Sequence, residues 1–338
     1  MKQKFPIIRL EGDSYRVGKM HGTILSDRIS EVIRFYHNLF GQDEEIIFEH
    51  AREFQKAITS FNPDYATEIE AIAEGAKVRP EWVYALNARS EIINRFNNEC
   101  TALYFREKAL LGQNWDWSEE LEDLAVILLI KRVNQPEILM MTEPGIIGKI
   151  GFNSAGVGVC LNFLHMEGFK PYGVPVHVLL RSVLDSTSID KALQAIEPVK
   201  QGKVANFLLG DADGRYVDVE FGGDEMWLVE PKDLGFVHTN HYITHNINTD
   251  PEEFASSFKR YERGAELLED QPSDVEDMKR ILADKEVDDL PICRDYVPDE
   301  LIGNVGTICS IIMDLRGRTM HITRGNPFDN PYSKFSLD

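Results

Sequence analysis

The stretch on which the fold turns is Asn98-Glu99-Cys100-Thr101, continued by Ala102-Leu103-Tyr104-Phe105 and, a few residues later, by Gly112-Gln113-Asn114-Trp115-Asp116-Trp117. A cysteine at the head of a strand-forming segment, with a Gly-x-Asn-x-Asp turn behind it, presents a nucleophile that can become a new amino terminus. A thiol attacks as its thiolate, and a free cysteine is mostly protonated at neutral pH, so a base must stand nearby. An α-amino group, with a reference pKa of ~7.7–8.0, suits that task. If the chain were cut before Cys100, nucleophile and base would sit on one residue. The competing reading is a buried structural cysteine.

Outward from Cys100 the two sides differ. Towards the amino terminus the pattern is helical. Asp13-Ser14 caps a helix carrying Val17, Met20, Ile24, Ile29, Ile33 and Phe40, Pro63-Asp64 opens a second with Ile69, Ile72 and Ala73, and Pro80 introduces a third over Val83–Arg89. Towards the carboxyl terminus strand formers dominate as far as Leu164: 101–105, 109–117, 124–133, 138–141, 149–152 and 158–163, the last two joined by the turn Asn153–Gly156. A helical stretch from Pro175 to about Ile196 follows, then strands at 205–210, 216–221, 226–230 and 236–238. Helices at 254–269 and 273–283, a surface loop over 291–302, and a last strand pair at 309–314 and 319–324 complete the pattern. Two packed sheets with helices outside, in the α+β class, follow from this order.

The chain has 338 residues, 43% of them hydrophobic and 10% aromatic, enough for an extensive core. Its net charge of −20 excludes nucleic acid and an anionic membrane as partners. No apolar run approaches the ~18 residues of a membrane span, and the start lacks a secretory pattern, so a cytoplasmic location is expected. Cys100, Cys160, Cys293 and Cys309 lie far apart and form no CxxC pair, which argues against a zinc knuckle and a disulfide framework. His238, His241 and His245 are not read as metal ligands, because His238 and His241 point to opposite faces of an extended strand and no HExxH is present. Asp211-Ala212-Asp213-Gly214 reads as a hairpin turn rather than a calcium loop.

Several segments together resemble the acyl-coenzyme A:6-aminopenicillanic acid acyltransferase-like (isopenicillin N acyltransferase-like) family of N-terminal nucleophile hydrolases, relatives of the choloylglycine (bile salt) hydrolases. They are Arg9–Gly12, Gly18–Gly22, Glu68–Ala76, Leu86-Asn87-Ala88-Arg89, Cys100-Thr101 with Gly112–Asp116, Gly156–Phe163, Asp211–Gly214 ahead of Glu220, Thr239-Asn240-His241, and Ser256–Tyr261. The resemblance implies a four-layer αββα sandwich of two antiparallel sheets. It also implies a precursor cut into a helical α fragment, 1–99, and a catalytic β fragment, 100–338. It assigns Cys100 as nucleophile, Asp116 as the carboxylate beside it, Asn240 as the oxyanion-hole asparagine, Arg260 as an arginine favouring the thiolate, and Asn162 and Thr101 as substrate- or oxyanion-binding residues. Taken singly, Asp116 also reads as a turn residue, Asn240 as a strand-end cap and Arg260 as a solvated helix charge. Glu99 stands where self-cleaving relatives commonly carry glycine, and Gln113 where bile salt hydrolases often carry arginine, which disfavours a bile-acid substrate.

The chemistry that follows is an amidohydrolase or acyltransferase working through an acyl-Cys100 intermediate on a linear amide or acyl thioester. No cofactor is required, the substrate is a small-molecule acyl amide or an acyl-coenzyme A, and a homo-oligomer is left open. Two rivals remain: a Cys-His thiol hydrolase pairing Cys100 with His241, and an unprocessed ligand-binding protein in which Glu99 blocks maturation.

Overall fold

The computed structural model describes residues 4–93, 100–230, 233–247, 252, 254–286 and 290–337. The chain opens with strand β1 (Ile7–Glu11) and six helices: α1 (Ser14–Ile24), α2 (Ser26–Phe40), α3 (Glu44–Phe61), α4 (Pro63–Ala76), α5 (Pro80–Asn87) and α6 (Arg89–Ile93). Strands β2 (Thr101–Phe105), β3 (Leu110–Ser118), β4 (Val126–Lys131), β5 (Ile138–Thr142), β6 (Ile150–Asn153) and β7 (Gly158–Phe163) follow. Helices α7 (Val176–Leu184) and α8 (Ile189–Ile196) lead to β8 (Lys203–Gly210), β9 (Tyr216–Gly223), β10 (Glu225–Val229) and β11 (Gly235–His238). Helices α9 (Ala255–Glu269) and α10 (Val275–Leu282) precede β12 (Val297–Asp299), β13 (Gly303–Asp314), β14 (Thr319–Ile322) and β15 (Ser333–Ser336).

One sheet runs β1-β4-β5-β6-β7-β8-β9-β10 and the other β11-β2-β3-β13-β14-β15, with β12 paired to β13. Strand β7 packs on β2 and β3 and so joins the sheets face to face, while α7 covers β6 and β7 and α9 and α10 cover β11, β3 and β13. The expected αββα sandwich is therefore present, with one correction. Strand β1, inside the region read as wholly helical, pairs parallel to β4, Ile7 opposite Ile127 and Leu10 opposite Ile130. An apolar run this short acquires strand structure only from a partner far along the chain. Gly112–Asp116, described as a turn although it falls in the strand expected over 109–117, lies within β3, where it pairs with β2 and β13.

The single helix expected over 14–40 is broken at Leu25, which leaves helical dihedrals at φ −108°, ψ 17°. Helix α1 crosses α4 at very close range: a Cβ on Gly18 would stand 2.2 Å from the Glu68 carbonyl oxygen, and one on Gly22 2.1 Å from that of Ile72. The missing side chains permit the crossing, and the break redirects the chain along the next face. Helix α3 was not read from sequence, although Ile47, Phe48, Ala51, Phe54 and Ile58 form a buried stripe at helical spacing. The stretch 175–196 divides at Leu184, and the loop expected over 291–302 contains β12. Buried polar pairs tie the amino-terminal helices to the rest. Arg181 on α7 donates to both Glu68 oxygens at 2.8 and 2.9 Å, and the Tyr65 hydroxyl donates to Asp185 at 2.8 Å. Among the described residues no helix is long and apolar enough to cross a membrane.

Candidate active site

Cys100 sits at the head of β2, buried at 2% exposure. Its backbone N–H donates to Asn240 Oδ1 at 2.7 Å. Its carbonyl oxygen accepts from Asn162 Nδ2 at 3.0 Å and from Arg260 Nη1 at 2.8 Å. The same Nη1 donates to Thr101 Oγ1 at 3.0 Å, while Nη2 donates to Asn240 Oδ1 at 3.0 Å and Nε to Ser256 Oγ at 3.1 Å. Five of the residues singled out in the sequence thus form one network around one backbone unit, contributed by β2, β7, the segment after β11, and α9. Arg260 is no solvated surface charge: it is fully buried, and its guanidinium fork bridges four acceptors.

Asp116 on β3 is the sixth, and its state differs. It is buried at 1% exposure, and neither carboxylate oxygen has a hydrogen-bond partner. Burial raises its pKa to about 7; Thr307 and Arg260 are close enough to draw it back, but neither meets the carboxylate with hydrogen-bond geometry. The Cys100 thiol is pushed up to about 11 by burial and by the Asp116 charge, against the Asp116 backbone N–H, Arg260 and the Gln113 amide. Arg260 draws the thiol pKa down, as expected of it, but desolvation outweighs the guanidinium in this structure. The Asn240 amide is also engaged, its Nδ2 donating to the Phe163 carbonyl at 2.9 Å and its backbone N–H to Ser257 Oγ at 2.7 Å.

Comparison with known proteins gives the family. Residues 105–329 match the family model of acyl-coenzyme A:6-aminopenicillanic acid acyl-transferase. The chain is 31% identical over 345 residues to the 40 kDa form of acyl-coenzyme A:6-aminopenicillanic-acid-acyltransferase of Emericella nidulans, covering 98% of this chain and 95% of that one. The chain belongs to this family. It is an enzyme of an acyltransferase family. Similar solved structures are more distant. An N-acylethanolamine-hydrolyzing acid amidase ortholog of Caenorhabditis elegans has TM-score 0.49 and 14% identity over 64% of this chain and 93% of that one. A conjugated bile acid hydrolase variant from Clostridium perfringens has TM-score 0.48 and 13% identity, with coverages of 71% and 97%.

In this acyltransferase-family chain the space beside the thiol is nearly closed. Cys100, Trp115, Asp116, Leu161 and Phe163 line a cavity of about 10 Å³, room for roughly one water, together with Arg89 and Lys149. Those two cations were not read as site residues. Arg89 lies in the quoted Leu86–Arg89 segment and was within reach of the sequence; Lys149, a lone lysine ahead of an apolar strand, gave no signal. Both bind Glu143, which accepts from Arg89 Nη2 at 3.1 Å and from Lys149 Nζ and the Tyr36 hydroxyl. Gln113 was noted only as a departure from the bile salt hydrolases. It reaches across the sandwich, its Nε2 donating to the Leu161 carbonyl and its Oε1 accepting from the Leu161 N–H at 3.0 Å. His241 does not join the thiol: its Nδ1 lies 2.8 Å from Ser257 Oγ and 3.2 Å from Thr239 Oγ1, and burial holds the ring neutral, with a pKa near about 4. No hydrogen bond links it to Cys100 among the described residues, so the Cys-His arrangement lacks its base. Glu99 lies outside the described residues.

Proposed function

We propose that the chain is a self-processing cysteine N-terminal nucleophile enzyme, cut between Glu99 and Cys100 into fragments 1–99 and 100–338, which hydrolyses or transfers the acyl group of a linear amide or acyl thioester. In the maturation step the Cys100 thiol attacks the carbonyl carbon of residue 99. The peptide C–N bond breaks, its nitrogen takes a proton to become the α-amino group, and water hydrolyses the resulting thioester to release the residue 99 carboxylate. In turnover the sulfur attacks the substrate carbonyl, the amine or thiol leaves with a proton, and water or an acceptor amine takes the acyl group from Cys100.

The observation that carries this reading is the unpartnered Asp116 carboxylate, buried beside Cys100. A buried charge without a partner is costly. An α-ammonium on Cys100 is the partner that cleavage would create, and Asp116 would then orient the amine as base. Asn240 would turn its amide towards the developing oxyanion, while Arg260, Thr101 and Asn162 hold the Cys100 backbone in place. The nearly closed cavity suits an uncut chain whose substrate space opens with maturation. Small acyl amides or an acyl-coenzyme A are the substrates this reaction takes, the latter leaving as the free thiol.

The test is to incubate the enzyme with a panel of N-acyl compounds and acyl thioesters, quench, and map acylated peptides. An acyl group on Cys100, with turnover abolished in Cys100→Ala, is the expected result. Full activity in Cys100→Ala would sink the reading.

A further inference from the structure

A second buried cluster lies apart from the thiol, formed by Asp218 and Glu220 on β9 and His238 at the end of β11. One potential ligand atom from each lies within 4.8 Å of the other two. His238 Nε2 stands 3.0 Å from Glu220 Oε1 and 3.8 Å from Asp218 Oδ2, and all three side chains are fully buried. Strand alternation puts Asp218 and Glu220 on one face. Asn206 on β8 pairs in register with Glu220, which puts its side chain on that same face, and its amide lies against Asp218.

Two observations point to an occupant. Both Asp218 carboxylate oxygens and both polar atoms of the buried Asn206 amide lack a partner in full hydrogen-bond geometry, although the amide stands beside Asp218 and eases its charge, whereas buried polar groups are almost always satisfied. The other two side chains are held as ligands are held. His238 Nδ1 donates to the Thr239 carbonyl oxygen at 2.8 Å, which fixes a proton there and turns Nε2 towards the carboxylates. Glu220 accepts from the backbone N–H groups of Ile243 at 2.7 Å and Thr244 at 3.1 Å, and from the Thr244 hydroxyl. A proton on Nε2 would serve Glu220 yet leave Asp218 and Asn206 without a partner in full hydrogen-bond geometry.

We propose that Asp218, Glu220, His238 and the Asn206 side-chain carbonyl hold one divalent cation, zinc by the donor set and spacing. Two carboxylates neutralise a divalent ion, and a neutral imidazole and an amide oxygen complete four donors. Zinc bonds of ~2.0–2.2 Å in a tetrahedron place neighbouring donor atoms about 3.3 Å apart, and the 3.0 and 3.8 Å separations bracket that value. Four protein donors without an open position make a structural site. Its consequence reaches the thiol: His238 and the Ile243–Thr244 backbone are both tied to β9, so the ion pins the two ends of the segment that carries Asn240.

The experiment is elemental analysis of the full-length chain, purified without a chelating column, followed by thermal melts of chelator-dialysed protein with and without Zn²⁺. About one zinc per chain, a rise in melting temperature on adding Zn²⁺ to the dialysed protein, and loss of both in Asp218→Asn are expected. Wild-type protein free of metal, with a melting temperature unmoved by Zn²⁺ or Mn²⁺, would overturn the proposal and leave a buried water as the occupant. If Asp218→Asn fails to fold, the wild-type metal content and melts decide alone. The readout needs no activity, so it stands or falls independently of the function proposed above.

Discussion

Asp116 lines the cavity beside Cys100 and Glu143 binds the two cations that line it, and these two buried carboxylates are in opposite states. Glu143 accepts from Tyr36, Arg89 and Lys149. Burial alone would raise its pKa, but Arg89 and Lys149 outweigh burial and hold it down to about 2. Asp116 has no hydrogen-bond partner and is raised to about 7 by the same desolvation. The difference separates structure from chemistry. Glu143 joins α2 and α6 to the strands as a satisfied ion cluster, while Asp116 carries a desolvation cost within the fold that the proposed α-amino group at Cys100 would relieve.

The sharpest way to break the comparison is to remove the satisfied partner. Glu143→Ala leaves Arg89 and Lys149 buried without their anion and is expected to cost about 3–5 kcal/mol in denaturant unfolding. A loss below about 1 kcal/mol would mean that the cluster does not hold the helices to the sheet. Asp116→Asn removes an unpartnered charge. In the uncut Cys100→Ala background stability at pH 8 is expected to stay level or rise, while in the otherwise wild-type enzyme turnover falls by about 10²-fold or more; a stability loss in the uncut background as large as that of Glu143→Ala would show Asp116 to be structural.

The pH dependence gives a smaller effect with opposite signs. The Asp116 pKa is raised above its ordinary 3.8, so the folded uncut chain holds the extra proton and this contribution to stability declines as pH rises from about 4 to about 7. The Glu143 pKa is depressed below 4.5, so its contribution is present above that pH and is lost as pH falls towards about 2. Melting curves of uncut protein should lose the first slope in Asp116→Asn and keep the second. Retention of both slopes would contradict the assignment.

How much of this was legible in the sequence depended on how local the signal was. Strand β2 was read with its observed bounds, and the hairpin at Asn153–Gly156 follows from its turn residues. The parallel pairing of β1 with β4 was not legible, because Ile7–Leu10 has no local partner and its neighbour in the sheet is far along the chain, Ile7 opposite Ile127. The break at Leu25 depends on the depth to which α1 sinks against α4, a matter of tertiary packing. Cys100, Thr101, Asn162, Asn240 and Arg260 were found through motif order, and the structure brings them together. Their hydrogen-bond partners were not legible, nor was the isolation of Asp116, since a sequence names a carboxylate without saying whether anything reaches it. Lys149 and Glu143 entered the site only because β5, β6 and α6 converge there.

The central claim is that cleavage before Cys100 supplies the partner Asp116 lacks, and the most direct measurement is an intact mass spectrum of freshly purified wild-type protein beside that of Cys100→Ala. The account predicts two fragments meeting at Glu99/Cys100 in the wild type and a single uncut chain in the variant. A single uncut chain in both, with turnover intact in the wild type, would contradict it, because the reaction would then proceed without an α-amino group at Cys100.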